Sequence, residues 1–385
     1  MGTPHSPVPL GRIGREWARL GITGFGGPPA HIQLLRALCV DRNGWLEATE
    51  FEDAVAACNL LPGPASTQLA IYCARRAGGW RGALVGGLGF IVPGLVVILV
   101  LSALLLGPHP SRWVLGAAAA AGAVIPAVAV RAGVTLVPAS LLRARRATGF
   151  SWWLAAVVVG AVSAAVLGAW VALALVGCGL IALAHRERAQ RSGRPLATVA
   201  VAGIGSISAG GALALAWTAL KVGALSYGGG FVIVPLMQAD AVGHHWLTKT
   251  EFLGAVALGQ ITPGPVVQTI AVVGYGAAGV TGGIAASAIA FAPSFVFVLA
   301  GGRHFDRVRT NPRAQAFLAG AGPAAIGAIL GSAVPLALAL CVWWQLIILA
   351  AGSLALLRRW SPVLVLVGAA AIGLVLVALG APIPQ

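Results

Sequence analysis

The chain has 385 residues, 58% of them hydrophobic and 9% charged, with a formal net charge of +15 and a mean hydropathy of +0.91. A water-soluble domain carries about 25% charged residues, so this composition does not clothe a surface in water. Nucleic-acid binding is excluded by placement: the arginines fall in short clusters between apolar runs, with no basic stripe interleaved with aromatics. Apolar runs such as "ALVGGLGFIVPGLVVILVLSALLL" (83–106) reach the ~20 residues that a helix needs to cross a bilayer. The fold class is therefore an all-α polytopic membrane protein. A β-barrel would alternate in segments of about ten residues, and none do.

In chain order, "MGTPHSPVPLGRIGREWARLGI" has no apolar h-region, so no cleaved signal peptide is expected. It reads as a short amphipathic helix on the inner membrane surface. "GFGGPP" (24–29) ends it, and Pro28 or Pro29 starts a helix through "AHIQLLRALCV". Gly26 and Gly27 permit left-handed backbone and the close approach of a ligand. The helix through "EFEDAVAACNLL" stops at Pro62, which lacks an N–H, and Pro64 opens a new helix, "PASTQLAIYCARRA". Full spans are predicted at 81–106, 112–139, 150–168 and 169–184. An unpaired span follows at about 197–220. In the second part "YGGGF" (227–231) and "ITPGPVVQT" (261–269) repeat the two breaks, and spans are predicted at 282–301, 314–338, 340–357 and 361–379. Five cysteines (Cys39, Cys58, Cys73, Cys178, Cys341) lie in apolar segments without metal or redox spacing and read as small hydrophobes.

The internal repeat organises this pattern. "WLEATEFEDAVAACNLLPGP" (45–64) and "WLTKTEFLGAVALGQITPGP" (246–265) align without a gap, sharing Trp-Leu, Thr-Glu-Phe, Ala-Val-Ala and Pro-Gly-Pro in register. "GFGGPPAHIQLL" (24–35) matches "SYGGGFVIVPLM" (226–237) after a one-residue slip. Two homologous repeats are expected, at 1–195 and 196–385. Clusters at Arg75, Arg76 and Arg81, at Arg143, Arg145 and Arg146, and at Arg186, Arg188, Arg191 and Arg194 fall on one side if each span reverses direction. Span 81–106 then starts inside, whereas its equivalent 282–301 ends at the Arg303, Arg307, Arg309 and Arg313 cluster and starts outside. This predicts an inverted-topology repeat with broken, re-entrant helices: about nine full spans plus four half-helix elements.

A helix that starts at membrane depth leaves the N–H groups of about its first four residues without partners, and lipid satisfies none of them. An oxyanion does, because the bare amides and the positive end of the helix dipole point the same way. Candidate substrate contacts in the first repeat are Gly26, Gly27, His31, Asn59, Gly63, Ala65, Ser66, Thr67 and Gln68, with Gln33 nearby. In the second they are Gly228, Gly229, Gly230, Gln260, Thr262, Gly264, Val266, Val267, Gln268 and Thr269. The breaks contain no carboxylate, which suits a negative substrate and argues against a calcium or sodium site; no metal, cofactor or catalytic residue is expected. The structural alternative is that Pro-Gly-Pro kinks a helix and Gly-Gly packs one.

Glu50 and Glu251 follow Thr49 and Thr250, read here as N-caps; each acid either favours a helix dipole or takes part in proton coupling. Asp53, one turn on, is a candidate titrating carboxylate. Arg131, inside an apolar span, either snorkels to the inner face or balances an anion. His31 makes either a structural hydrogen bond or a substrate contact.

At "FGGPPAHI", "WLEATEF", "LLPGPASTQ", "YGGGFVIVPL" and "LGQITPGPVVQT" the chain resembles the chromate ion transporter family, over both repeats and nearly its whole length. The resemblance implies an inner-membrane carrier that expels chromate under the proton-motive force, with sulfate as the usual competitor. It maps the family motif onto Phe25, Gly26, Gly27, Pro28, Pro62, Gly63, Pro64, Gln68, Gly228, Gly229, Gly230, Pro263, Gly264 and Pro265. Where the family usually has Phe and Glu in the second motif, this chain has Tyr227 and Gln238. The partners implied are a chromate- or sulfate-like oxyanion, protons as a candidate coupling ion, the lipid bilayer and a second copy of the chain as a candidate homodimer. A passive anion channel and a membrane-embedded reductase are the rival classes. The first lacks a ring of charges in the sequence, and the second lacks any haem, flavin or metal spacing.

Overall fold

The computed structural model describes residues 8–59, 63–147, 149–167, 171–190, 211–226, 231–301 and 311–384, and these residues are helical wherever they are regular. The first helix, α1 (Leu10–Thr23), leads to α2 (Pro28–Arg36), which continues into a wider π-type stretch to Arg42. Next come α3 (Ala48–Cys58), α4 (Ala65–Leu106), α5 (Arg112–Ala147), α6 (Phe150–Val162) and α7 (Val171–Gln190). The later elements are α8 (Ala212–Leu225), α9 (Ile233–Gly243), α10 (Lys249–Ile261), α11 (Thr269–Gly301), α12 (Pro312–Leu338), α13 (Trp343–Leu357) and α14 (Pro362–Ala378).

Four stretches among the described residues are long and apolar enough to cross a bilayer alone: Ala65–Leu106, Arg112–Leu142, Val266–Ala300 and Pro312–Leu338. Other predicted spans, including those at 340–357 and 361–379, take the form of shorter apolar helices. The predicted unpaired span at about 197–220 is described only from residue 211. There the helix begins at Ala212 and runs past the predicted end to Leu225. The predicted caps are displaced: α10 is capped by Thr248, two residues before Thr250, and α3 by Glu47, so that Thr49 and Thr250 lie inside their helices. The signature that decides this is Thr-x-x-Glu, since Thr248 accepts from the Glu251 N–H while the Glu251 carboxylate accepts from the Thr248 N–H.

α4 and α11 are each two arms joined at a glycine. Backbone helicity fails at Gly78 (φ −141°, ψ 23°) and Gly79 (φ 65°, ψ −158°), and again at Ala278 (φ −153°, ψ 32°) and Gly279 (φ 62°, ψ −153°). Only glycine occupies the second conformation of each pair without strain. The arms then fold back on each other. A Cβ added to Gly82 would lie 2.5 Å from the Ala74 carbonyl, and one on Gly87 would lie 3.0 Å from the Ile71 side chain. In α11, Gly283 meets the Ala271 carbonyl in the same way.

The helices pack in a continuous series in which α10 lies against α5, α4 and α11. α1 lies along α4, α4 along α11, and α11 along α8. α12 packs on α5, α6 and α7, with α14 against α5. Glycine makes these contacts close. Gly327 and Gly331 of α12 sit on the Val157 and Ala161 carbonyls of α6, and Gly320 sits on the Cys178 carbonyl of α7. In lipid no hydrophobic force draws apolar helices together, so close backbone approach through small residues does.

Candidate functional site

In the first break, Gly63 adopts φ +111° and Pro64 turns the chain into the short arm of α4. Four bare amides were expected here, and two remain. The N–H groups of Thr67 and Gln68 both donate to the Pro64 carbonyl at 3.0 Å, leaving those of Ala65 and Ser66 without an acceptor among the described residues. Ser66, Thr67 and Gln68 are buried, and the Thr67 hydroxyl has no hydrogen-bond partner among the described residues. Leu60, Leu61 and Pro62 lie outside the described residues.

The second break repeats this with small differences. Thr262 ends α10 and its hydroxyl donates to the Leu258 carbonyl at 2.8 Å. Gly264 adopts φ +96°, and Pro265 leads into a 3₁₀ turn, Val266–Gln268, before α11. Gln268 N–H donates to the Pro265 carbonyl at 2.8 Å and Thr269 N–H to that of Val266, so the amides left without an acceptor among the described residues are those of Val266 and Val267. The Thr269 hydroxyl donates to the Val266 carbonyl. Gln268 donates to the Ile91 carbonyl at 3.5 Å, while its Oε1 and the Nε2 of Gln260 are buried without partners among the described residues.

Each break is lodged against the other part of the chain. A Cβ on Gly63 would lie 3.2 Å from the Gly223 carbonyl of α8 and 3.5 Å from the Ser294 hydroxyl of α11. One on Gly264 would lie 3.8 Å from the Gly21 carbonyl of α1 and from Gly94 Cα of α4, and a Cβ on Gly94 would collide with the Pro263 carbonyl. The fold-back sets the depth: Ile71 lies level with Gly87, so the start of the short arm lies near Pro93, midway along the long arm (80–106). Pro293 stands at the matching place in α11. Ser294 and Ser226 are 0% and 1% exposed, and their hydroxyls have no partner among the described residues. Neither was read as a site residue from sequence; their placement beside Pro293 and before "YGGGF" was the available signal.

Gly26 (φ +99°) and Gly27 (φ +72°) turn the chain into α2, whose first two residues are the prolines. Prolines have no N–H, so this end offers fewer amides than a helix ordinarily does. Gly27 lies against Val266, which places the glycine motif beside the second break. His31 is buried, with Nε2 3.0 Å from the Gly24 carbonyl, Nδ1 3.3 Å from the Ser66 hydroxyl, and its ring edge-on to Phe90. Gln33 and Asn59 are exposed. Gly228, Gly229 and Gly230 lie outside the described residues.

The charged candidates are dispersed. Glu50 pairs with Arg76 and accepts from the Tyr72 hydroxyl at 3.1 Å. Asp53 is exposed on α3, Glu251 closes the capping box of α10, and Arg131 donates to the Trp360 carbonyl in the loop carrying Arg358 and Arg359. Sequence reading missed a buried ion pair. Lys221 of α8 meets Asp240 of α9 at 2.5 Å, Thr218 donates to the same carboxylate oxygen at 2.7 Å, and Lys221 lies over Trp217. A lysine and an aspartate in otherwise apolar flanks of "SYGGGF" were the signal. No cluster of three metal-ligating side chains occurs among the described residues.

The family profile described as "Chromate transporter" matches residues 11–183 and 213–374. A "Chromate transport protein" of Pseudomonas aeruginosa is 30% identical over 347 residues, covering 86% of this chain and 82% of its own length. A protein of the same name from Cupriavidus metallidurans is 30% identical over 374 residues, covering 93% and 90%. A "Probable chromate transport protein" of Synechococcus elongatus is 28% identical over 345 residues, covering 86% of each. No solved structure matches the chain.

Proposed function

The chain belongs to the chromate transporter family, and from that premise we propose that it is a secondary carrier of chromate, a tetrahedral dianion, expelling it across the cell inner membrane under the proton-motive force. The observation that carries this reading is the pair of reciprocal breaks. Two short helices begin beside the midpoints of apolar spanning arms, with amide pairs at 65–66 and 266–267 bare and the buried hydroxyls of Thr67, Ser226 and Ser294 unpartnered among the described residues. Buried polar groups without partners are costly, and an anion with four acceptor oxygens satisfies them.

An inverted repeat, 1–195 against 196–385 with an extra span at about 197–220, gives this arrangement its transport logic. Three features support it. The folds at 78–79 and 278–279 match in dihedral angles, the Pro-Gly-Pro breaks exchange contacts, and the two hairpin tips differ in charge. Arg75, Arg76 and Arg81 surround the first tip, whereas Tyr275 and Gly279 mark the second, as expected for tips on opposite faces. The nine-span count belongs to the same proposal.

Purified protein in liposomes should move chromate under an imposed pH gradient, with sulfate and molybdate as competitors. Backbone amides distinguish oxyanions of one charge and shape poorly, so a preference for sulfate would reassign the substrate and keep the site. Flux that persists unchanged down the anion's own gradient after the proton gradient is dissipated would make the protein a passive channel.

A further inference from the structure

We propose that His31 is the proton-binding site of this carrier, and that its protonation frees the Ser66 hydroxyl to donate to the oxyanion at the start of α4. The proposal rests on the carrier reading and specifies how proton and anion meet. A carbonyl oxygen only accepts, so the 3.0 Å contact between Nε2 and Gly24 O places a hydrogen on Nε2. In the neutral ring Nδ1 is then an acceptor, and its 3.3 Å partner Ser66 spends its hydroxyl hydrogen there. When a proton adds to Nδ1, that nitrogen becomes a donor and Ser66 Oγ becomes the acceptor. The hydroxyl hydrogen rotates away, the Nε2–H bond to Gly24 persists, and the site gains one positive charge.

The freed hydrogen belongs to the residue whose own amide is one of the two bare donors of the break. Protonation therefore adds a donor and a charge where the anion is to be held. The converse also holds. The groups that meet His31 are the Gly24 carbonyl at the end of α1, Ser66 of the short arm and the Phe90 ring of the long arm. Among the described residues none of these elements brings a charged side chain to act on it. A buried imidazolium without a counter-charge is unfavourable, and the dianion supplies that charge. Each ligand thus raises the affinity for the other, as linkage requires. One proton travelling outward with a dianion leaves a net charge of −1, so export is driven by the membrane-potential part of the proton-motive force and runs against its pH part.

The test is sulfate binding to the detergent-solubilised full chain by titration calorimetry, between about pH 5 and 8, in two buffers of different ionisation heat. Sulfate is chosen because its own charge does not change in this range. Expected for the wild type is uptake of up to one proton per sulfate, with affinity falling by about tenfold per pH unit above the imidazole pKa. His31→Asn should show no uptake and a flat profile. Ser66→Ala keeps the ring, its charge and its Gly24 bond but loses the hydroxyl donor, so it should take up fewer protons per sulfate and show a shallower profile, which covers the case that the first variant fails to fold. Undiminished proton uptake in either folded variant, or a wild type that binds sulfate with no pH dependence, overturns the proposal. A wild type that binds neither sulfate nor chromate at any pH removes the carrier reading itself.

Discussion

The amide nitrogen of Gly264 donates to the carbonyl oxygen of Gly24 at 3.0 Å. This bond ties the turn that opens one short helix to the end of the helix that opens the chain. Gly24 also receives Nε2–H from His31, and His31 contacts Ser66 in the other break. One carbonyl, through His31, therefore joins both breaks and the glycine motif.

Gly63→Ala and Gly264→Ala should both abolish transport, with Gly63→Ala the more damaging. Each forces alanine to a positive φ, at about 1–2 kcal/mol. A Cβ at 63 would in addition lie 2.6 Å from Gln68 Nε2 and 3.2 Å from the Gly223 carbonyl, while at 264 nothing lies closer than 3.8 Å. Chromate accumulation by everted vesicles, normalised to membrane protein level, checks the order. Normal accumulation with either variant would remove that break from the site.

Gly94→Ala should displace the second break from the long arm of α4, because its Cβ collides with the Pro263 carbonyl. Overpacking of this kind costs about 1–3 kcal/mol. Flux should fall and thermal stability in detergent should drop. Gly368→Ala, in a helix with open space at that position, should change neither.

Lys221→Met and Asp240→Asn should each destabilise strongly, by about 3–5 kcal/mol, because each leaves one buried charge unpaired. The double variant Lys221→Met/Asp240→Leu should recover most of that loss. Thermal unfolding of the three proteins in one detergent decides the matter. If the double variant is as unstable as the singles, the pair is not what holds α8 to α9.

Glu251→Ala should cost about 1 kcal/mol through loss of the capping box, whereas Glu251→Gln should leave stability and flux unchanged, since its carbonyl still accepts the Thr248 N–H. Proton-dependent flux lost in Glu251→Gln would return this residue to the coupling route.

How far the site was legible depends on how local its physics is. A glycine between two prolines ends a helix where single prolines such as Pro93 and Pro293 stay inside one, so the two Pro-Gly-Pro motifs marked the breaks in advance, and the apolar composition named the solvent. The number of bare amides was misjudged because the turns close on themselves: Pro64 O accepts two of the four. Thr248 was passed over as a cap because Thr250 stands beside the acid, although the reciprocal pairing of Thr248 with Glu251 follows from their spacing.

What the residues alone determined is an all-helical membrane chain with a repeated interruption, because desolvated backbone in lipid has few solutions and proline removes one of them. What tertiary structure decided is which groups meet: Gly63 against Gly223, Gly264 against Gly24, His31 against Ser66, Lys221 against Asp240. Those pairs join separate helices, and in all but the last they depend on arms that double back or on elements far apart in the chain. Local pattern carries no record of such contacts.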